Sequence, residues 1–357
     1  MAVDYDLVIL GGTAVGRYAA AQAVQQSARV ALVEPEGYSS MVEVHHQTLI
    51  QIGYLAQQMR RSPFQGLHWG QHWGQVTPEL GAERSADLRL QWQDTQGWAA
   101  AIAEVLEDQG SKGQSLDLLT ASGVDVVIGQ GEFCRLPRWG LSVNGRLLRS
   151  RAFLLAPPTQ ARVPAIAGLA NMRYLTLDTL WQQSGQTVPE RLLILGSDPR
   201  GIELAQVFNR FGTQVTLICR SRLLPQEDYE ASHLIQAQLE SEGVKVITQA
   251  RVNQAEPVGN QISLKVNDRI LEANALLLAT LRQLDLAALN LEAVGVKWNP
   301  QKITVNRKLQ TTHAQIYACG EALGGYADLT LGQYEVRSPF TMPYFGHPLP
   351  STTPRCP

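Results

Sequence analysis

The sequence predicts an α/β fold with two nucleotide-binding units, and three observations carry that prediction. The stretch from Asp4 to Glu36 reads as strand, glycine turn, helix and strand. The stretch from Pro189 to Pro225 repeats that layout. Short apolar runs bounded by glycine or proline, at Gly123 to Gly129, Ala152 to Ala156 and Asn274 to Thr280, read as further buried strands. Two such units in one chain weigh more than either alone, because a single G-x-G-x-x-G is common by chance.

In the first unit the apolar run Asp6 to Leu10 ends at the pair Gly11-Gly12. A helix follows with Ala19, Ala20, Ala23 and Val24 along one face. A second apolar run, Arg29 to Val33, ends in Glu34. A glycine turn lets the backbone approach a pyrophosphate, and the helix N-terminus supplies N–H groups and partial positive charge. An acid about 20 residues on then takes a ribose hydroxyl. The turn here is Gly11-x-Thr13-x-x-Gly16, so threonine stands where backbone and phosphate come closest. A structural strand–helix–strand unit without ligand is the competing reading.

The second unit has its strand at Leu192 to Leu195, its turn at Gly196 to Gly201, its helix at Ile202 to Phe211 and its second strand at Gln214 to Ile218. Asp198 holds the middle glycine position and Pro199 follows. A carboxylate about 4 Å from a phosphate charge repels it by about 4 kcal/mol at an effective dielectric of about 20. Proline removes one N–H from the anion site. Asp198-Pro199 is also a good helix start by itself, aspartate as N-cap and proline at the first helical position. Against that stand Arg220 and Arg222 past the second strand, since an arginine there is how such sites accept a 2′-phosphate.

Between the units, Gly37 to Met59 takes helical spacing in its later part, at Leu49, Ile52, Leu55 and Met59. His45-His46 within it reads as packed or solvated histidine. His68 and His72 are four apart, but Gly70 and Gly74 argue against a metal-binding helix. Trp98 to Asp108 has helical spacing, and Asn144-Gly145 is a hairpin signal. Val163 to Gly168 reads as a linker. Gln226 to Glu242 reads as a helix, Val244 to Ile247 as a strand, 251–280 as a small antiparallel sheet and Gly295 to Leu309 as short strands. The stretch Gln315 to Glu321 is a buried strand followed by glycine and an acid. Ser338 to Pro357 holds 6 of the 18 prolines and reads as an irregular tail.

The 357 residues suit about two domains, and 45% hydrophobic content suits sizeable cores. A net charge of −2 gives no reason to expect nucleic acid or an acidic membrane surface. No run of 18 apolar residues and no signal peptide are recognised, so a soluble cytoplasmic protein is expected. The four cysteines, Cys134, Cys219, Cys319 and Cys356, are far apart, which indicates neither a zinc site nor a disulfide framework.

Five ordered stretches now combine: YDLVILGGTAVGRYAA, LLAPPTQARVPAIAG, LLILGSDPRGIELA, ALLLATLRQ and TTHAQIYACGEALG. With them the chain resembles the pyridine nucleotide–disulfide oxidoreductases, the flavoenzyme family of dihydrolipoamide dehydrogenase, glutathione reductase and mercuric reductase. The resemblance covers most of residues 4–336. It implies two Rossmann-like domains, the second inserted into the first, with small antiparallel sheets. Residues 1–160 and 283–336 would form a discontinuous FAD-binding domain and 164–282 an NAD(P)-binding domain, leaving 337–357 as the proline-rich tail. It implies FAD at Gly11, Gly12, Thr13, Gly16, Glu34, Gly131, Gly320 and Glu321. It implies NAD(P)H at Gly196, Gly201, Glu203, Arg220 and Arg222, with Glu203 near nicotinamide and flavin. Glu321 stands where the family has an aspartate on the ribityl chain.

The departures matter equally. The family's redox disulfide, C-x-x-x-x-C, belongs soon after the first unit, where this chain has GYSSMVEVHHQTLIQIG and no cysteine precedes Cys134. Without a thiolate no dithiol can pass electrons on. Both family ATG signatures are altered, to Ala156-Pro157-Pro158 and Ala279-Thr280-Leu281. The family's C-terminal dimerisation domain is also missing from this sequence. A disulfide reductase is therefore not expected. Three readings follow: a flavoprotein oxidising NAD(P)H with a small non-disulfide acceptor, a non-catalytic or degenerate FAD- or nucleotide-binding protein, and a truncated family member.

Overall fold

The computed structural model describes residues 3–36, 41–61, 115–135, 139–180, 188–324 and 329–337. In chain order it gives β1 (Tyr5–Leu10), α1 (Ala14–Gln25), β2 (Val30–Glu34), α2 (Met41–Arg61), α3 (Leu116–Ala121), β3 (Asp125–Ile128), β4 (Gly131–Cys134), β5 (Gly140–Val143), β6 (Arg146–Leu148) and β7 (Ser150–Leu155). There follow β8 (Leu175–Thr176), β9 (Arg191–Leu195), α4 (Pro199–Arg210), β10 (Gln214–Ile218), α5 (Tyr229–Ser241), β11 (Lys245–Ile247), β12 (Val252–Val258), β13 (Gln261–Val266), β14 (Arg269–Ala273), β15 (Ala275–Leu278), β16 (Ile316–Ala318) and α6 (Leu329–Arg337). The described residues fall into two compact units. One is drawn from Met1–Glu43, Glu104–Gln160 and Arg282–Pro357, the other from Val44–Ala103 and Ala161–Leu281.

The first unit is built on a five-stranded parallel sheet in the order β16-β7-β1-β2-β3. Its strands are covered on both faces, which is why their sequences are nearly continuous apolar runs. Leu7, Ile9 and Leu32 point to one face and bury with the alanines of α1. Val8, Leu10 and Val33 point to the other and bury with Phe133, Leu141 and Phe153. Small residues on α1 let the helix lie close to the sheet; Ala19 and Ala20 have no exposed surface. On the second face β4, β5 and β6 form an antiparallel sheet. Asn144 and Gly145 turn β5 into β6 with φ of 50° and 78°, the left-handed pair a two-residue hairpin needs.

The second unit repeats the plan, with the parallel order β11-β10-β9-β15-β8. Leu192, Ile194 and Leu217 bury against Ile202, Leu204 and Phe208 of α4. Leu193, Leu195, Leu276 and Leu278 bury against the antiparallel β12-β13-β14 sheet.

Several elements differ from the expectation. Helix α4 begins at Pro199, three residues earlier than apolar spacing suggests, because Asp198 caps it. Leu49, Ile52 and Ala56 of α2 bury in the second unit's core, although the expected division puts them with the first. Within 295–309 the structure agrees with the short strands expected there, Trp298–Asn299 pairing with Lys302–Ile303. Helix α6 was not expected; its Gly332 packs where a Cβ would meet Val15 of α1 at 2.4 Å. The expected helix at 98–108, the pair His68 and His72, and the proline-rich tail lie outside the described residues.

Phe153 has no exposed surface and packs edge-on against Phe133, ring centroids 5.3 Å apart. Phe153→Ala is expected to cost about 3–5 kcal/mol of stability by chemical denaturation; a loss below about 1 kcal/mol would contradict this packing.

Candidate functional site

The first turn is fixed by close approaches that only glycine permits. Gly11 has φ of 113°, and a Cβ there would lie 2.0 Å from the Ala156 carbonyl oxygen. A Cβ at Gly16 would lie 2.1 Å from the Gly11 carbonyl oxygen, so the start of α1 is seated on the turn. Gly12 serves a different need. A Cβ there would lie 2.1 Å from Glu34 Oε2, so its absence makes room for that carboxylate to lie across the turn.

Thr13 is the N-cap of α1. Its hydroxyl accepts from the Gly16 N–H at 3.2 Å and donates to the Ala156 carbonyl at 3.0 Å. The helix therefore satisfies one of its orphan amides itself. Glu34, at the end of β2, is 3% exposed, and Arg17, in the first turns of α1, is 6% exposed. Arg17 Nη2 donates to both Glu34 oxygens, at 2.9 and 3.1 Å. Burial pushes the Glu34 carboxyl above the usual glutamate range, and the Arg17 charge and hydrogen bond pull it back.

Other residues of the first unit fall into two groups. Gly131 is buried at the start of β4, where a Cβ would meet Leu141 at 3.1 Å. Gly320 follows β16 with φ of 64°, and its N–H donates to Glu335 of α6 at 2.7 Å. Glu321 accepts from the Thr159 N–H at 3.1 Å and from the Thr159 hydroxyl. Arg282 donates to the same hydroxyl at 2.7 Å and lies 3.7 Å from Glu321. Glu321, where the resemblance implies an aspartate, is thus bonded to Thr159.

The second turn copies the first. Gly196 has φ of 129°, and a Cβ there would lie 1.9 Å from the Ala279 carbonyl oxygen. A Cβ at Gly201 would lie 2.1 Å from the Ala279 side chain. Asp198, like Thr13, is an N-cap, with φ of −61° in both. Its carboxylate accepts from the Arg200 N–H at 3.0 Å and lies 3.4 Å from Arg200 Nε. The full repulsion expected of Asp198 is therefore corrected. Its charge is countered by Arg200, and what it withholds from an anion is the amide that it caps.

Arg220 is exposed at the end of β10. Arg222 is not poised as Arg220 is: its Nη2 donates to the Pro225 and Glu227 carbonyls, at 3.0 and 2.6 Å, and its guanidinium lies over Tyr229. Glu203, exposed on α4, bonds His46 Nε2 at 2.7 Å. His46 is 2% exposed, a buried imidazole with a carboxylate partner that one-dimensional reading does not pair. Cys219 donates its thiol to the Gly196 carbonyl at 3.1 Å, and burial pushes that thiol up to about 12. Burial also pushes the Cys319 thiol up, and neither is a ready nucleophile.

Sequence reasoning missed Arg17, Arg200, Thr159, Arg282 and His46. Arginine within an otherwise small and apolar helix face was the available signal for Arg17.

Residues 5–336 match the family model for pyridine nucleotide-disulphide oxidoreductase. The chain is 30% identical over 342 residues to mercuric reductase of Staphylococcus aureus, covering 93% of this chain and 58% of that protein. Dihydrolipoyl dehydrogenase of Bacillus subtilis (strain 168) is 38% identical over 152 residues, 42% of this chain and 33% of that one. Among solved structures, LpdA of Mycobacterium tuberculosis superposes with a TM-score of 0.74 at 22% identity, covering 93% of this chain and 71% of that one. The HOCl-induced flavoprotein disulfide reductase RclA of Escherichia coli superposes with a TM-score of 0.73 at 24% identity, covering 93% and 69%. The chain belongs to the pyridine nucleotide-disulphide oxidoreductase family. Its fold is theirs: Rossmann-like α/β units with small antiparallel sheets.

Removing either cap should weaken its helix start. Thr13→Ala and Asp198→Ala are each expected to cost about 0.5–2 kcal/mol in chemical denaturation. No measurable loss in either would mean that these side chains do not cap their helices.

Proposed function

We propose that the chain is an FAD-dependent NAD(P)H oxidoreductase-like flavoprotein that passes electrons to a small acceptor other than a disulfide. The first turn carries this reading. Gly11 and Gly16 hold the start of a parallel-sheet helix against the strand end, and a carboxylate stands at the end of the next strand. That arrangement suits the diphosphate and adenosine ribose of a dinucleotide. In this reading Gly11, Gly12, Thr13 and Gly16 line the diphosphate, Glu34 takes the ribose, and Gly131, Gly320 and Glu321 complete the FAD site. Gly196, Gly201 and Glu203 bound the NAD(P)H site, and exposed Arg220 favours a 2′-phosphate over a bare ribose. FAD, when bound, supplies the two-electron chemistry. The chain's own residues bind and orient it.

The acceptor follows from the thiols. No cysteine precedes Cys134, and Cys219 and Cys319 are buried with raised thiols, which supports an acceptor that needs no dithiol relay. The expected setting is cytoplasmic, with a small-molecule partner. Among the described residues no helix is long and apolar enough to cross a membrane.

One observation favours a second reading, a degenerate module that keeps FAD without turnover. Asp198 uses the Arg200 amide that a nicotinamide dinucleotide's phosphate would need.

A spectrum separates the two. The purified protein, or the apoprotein reconstituted with FAD, is expected to show flavin absorbance that bleaches when NADPH is added without oxygen. A colourless protein that cannot take up FAD sinks the proposal. Flavin absorbance without bleaching favours the second reading, and Asp198→Gly should then strengthen NADPH binding; no gain would clear Asp198 of blame.

A further inference from the structure

We propose that Arg17 is a positioning residue for the adenosine ribose: it holds Glu34 across the glycine turn, oriented for a vicinal diol. The inference rests on the FAD reading above.

Guanidinium and carboxylate are both more than nine-tenths buried, and a buried pair of this kind often adds little stability over apolar residues of the same size. Stability alone is therefore a poor reason for its presence. Its placement is more informative. Arg17 directly follows Gly16, the last glycine of the turn, and Glu34 ends the strand beside that turn. Glu34 Oε2 lies in the space that a side chain at position 12 would take. Gly12 therefore opens the space and Arg17 keeps the carboxylate in it.

Chemistry then limits what the pair can recognise. One nitrogen, Arg17 Nη2, serves both Glu34 oxygens. Each carboxylate oxygen can accept more than one hydrogen bond, so both keep capacity for a donor pair. Two adjacent hydroxyls match two adjacent oxygens. Charge points the same way. An unpaired Glu34 beside a diphosphate site would repel the ligand, whereas the pair is neutral. Thr13, the polar side chain of the turn, is uncharged and turned inward to Ala156. Arg17 acts through Glu34 and is assigned no contact with the cofactor.

A double-mutant cycle on FAD affinity tests this, read by quenching of flavin fluorescence on titration of apoprotein. Arg17→Met and Glu34→Gln are each expected to weaken FAD binding by about tenfold or more. Arg17→Met in the Glu34→Gln background should cost nothing further, because the two act as one group. Arg17→Lys, which keeps a charge but not the planar guanidinium, should fall between wild type and Arg17→Met. If Arg17→Met does not fold alone, Arg17→Gln, which removes the charge but keeps a donor, takes its place with Glu34 intact and replaced. Unchanged affinity in Arg17→Met overturns the inference, and so does an equal loss with Glu34 intact or replaced. A wild-type protein that takes up no FAD overturns the FAD reading and this inference with it. Equal binding by wild type and Arg17→Met overturns this inference alone.

Discussion

Both units depend on the close approach of a glycine turn to the neighbouring parallel strand. In the first, the Ala156 N–H bonds the Leu10 carbonyl at 2.8 Å, and Gly11 lies against the Ala156 carbonyl. In the second, the Ala279 N–H bonds the Leu195 carbonyl at 2.8 Å, and Gly196 lies against the Ala279 carbonyl. The ladder continues one residue past each strand, and no side chain fits between. This constraint aims the helix that follows at the crevice beyond the strand ends, where open α/β sheets take their ligands. Alternation along the strands then sends one set of side chains to the helices and the other to a small antiparallel sheet, so each unit gains two cores.

The two turns also share a departure from the dinucleotide pattern. The middle glycine is replaced by a residue that caps the helix, Thr13 in one and Asp198 in the other. Each turn also pairs an acid with an arginine from the helix it opens, Arg17 with Glu34 and Arg200 with Asp198. A helix start that is already capped offers an incoming phosphate one amide fewer. The consequence is unequal. Thr13 is neutral, and the first turn's acid stands outside the turn at the end of the next strand, paired with Arg17. Asp198 brings its carboxylate into the turn itself.

Much of the fold was legible in the sequence because it rests on local rules. Strand β10 runs from Gln214 to Ile218 as its apolar pattern indicates, and the Asn144-Gly145 hairpin follows from turn chemistry. Asp198 as a helix cap was legible for the same reason. Helix α6 was not, because its sequence, LTLGQYEVR, shows no buried apolar stripe: Leu331 and Tyr334 are exposed, and the buried residues are Gly332, which meets Val15, and Val336. Of the candidate site, the two glycine turns and the acid Glu34 at a strand end were legible as local features. Their partners were not. Arg17 with Glu34, Thr159 with Glu321 and Arg282, and His46 with Glu203 are contacts across the fold. Charge pairing at such distances has no signature in one dimension, and the repulsion expected of Asp198 left Arg200 out of account.

The central claim is that the first turn is a preformed FAD site and that its partner is partly closed by its own cap. Amide hydrogen exchange, with and without FAD, tests it most directly. The account predicts that FAD slows exchange at Gly11 to Arg17 and leaves Gly196 to Glu203 unchanged. Equal exchange at Gly11 to Arg17 with and without saturating FAD would contradict it.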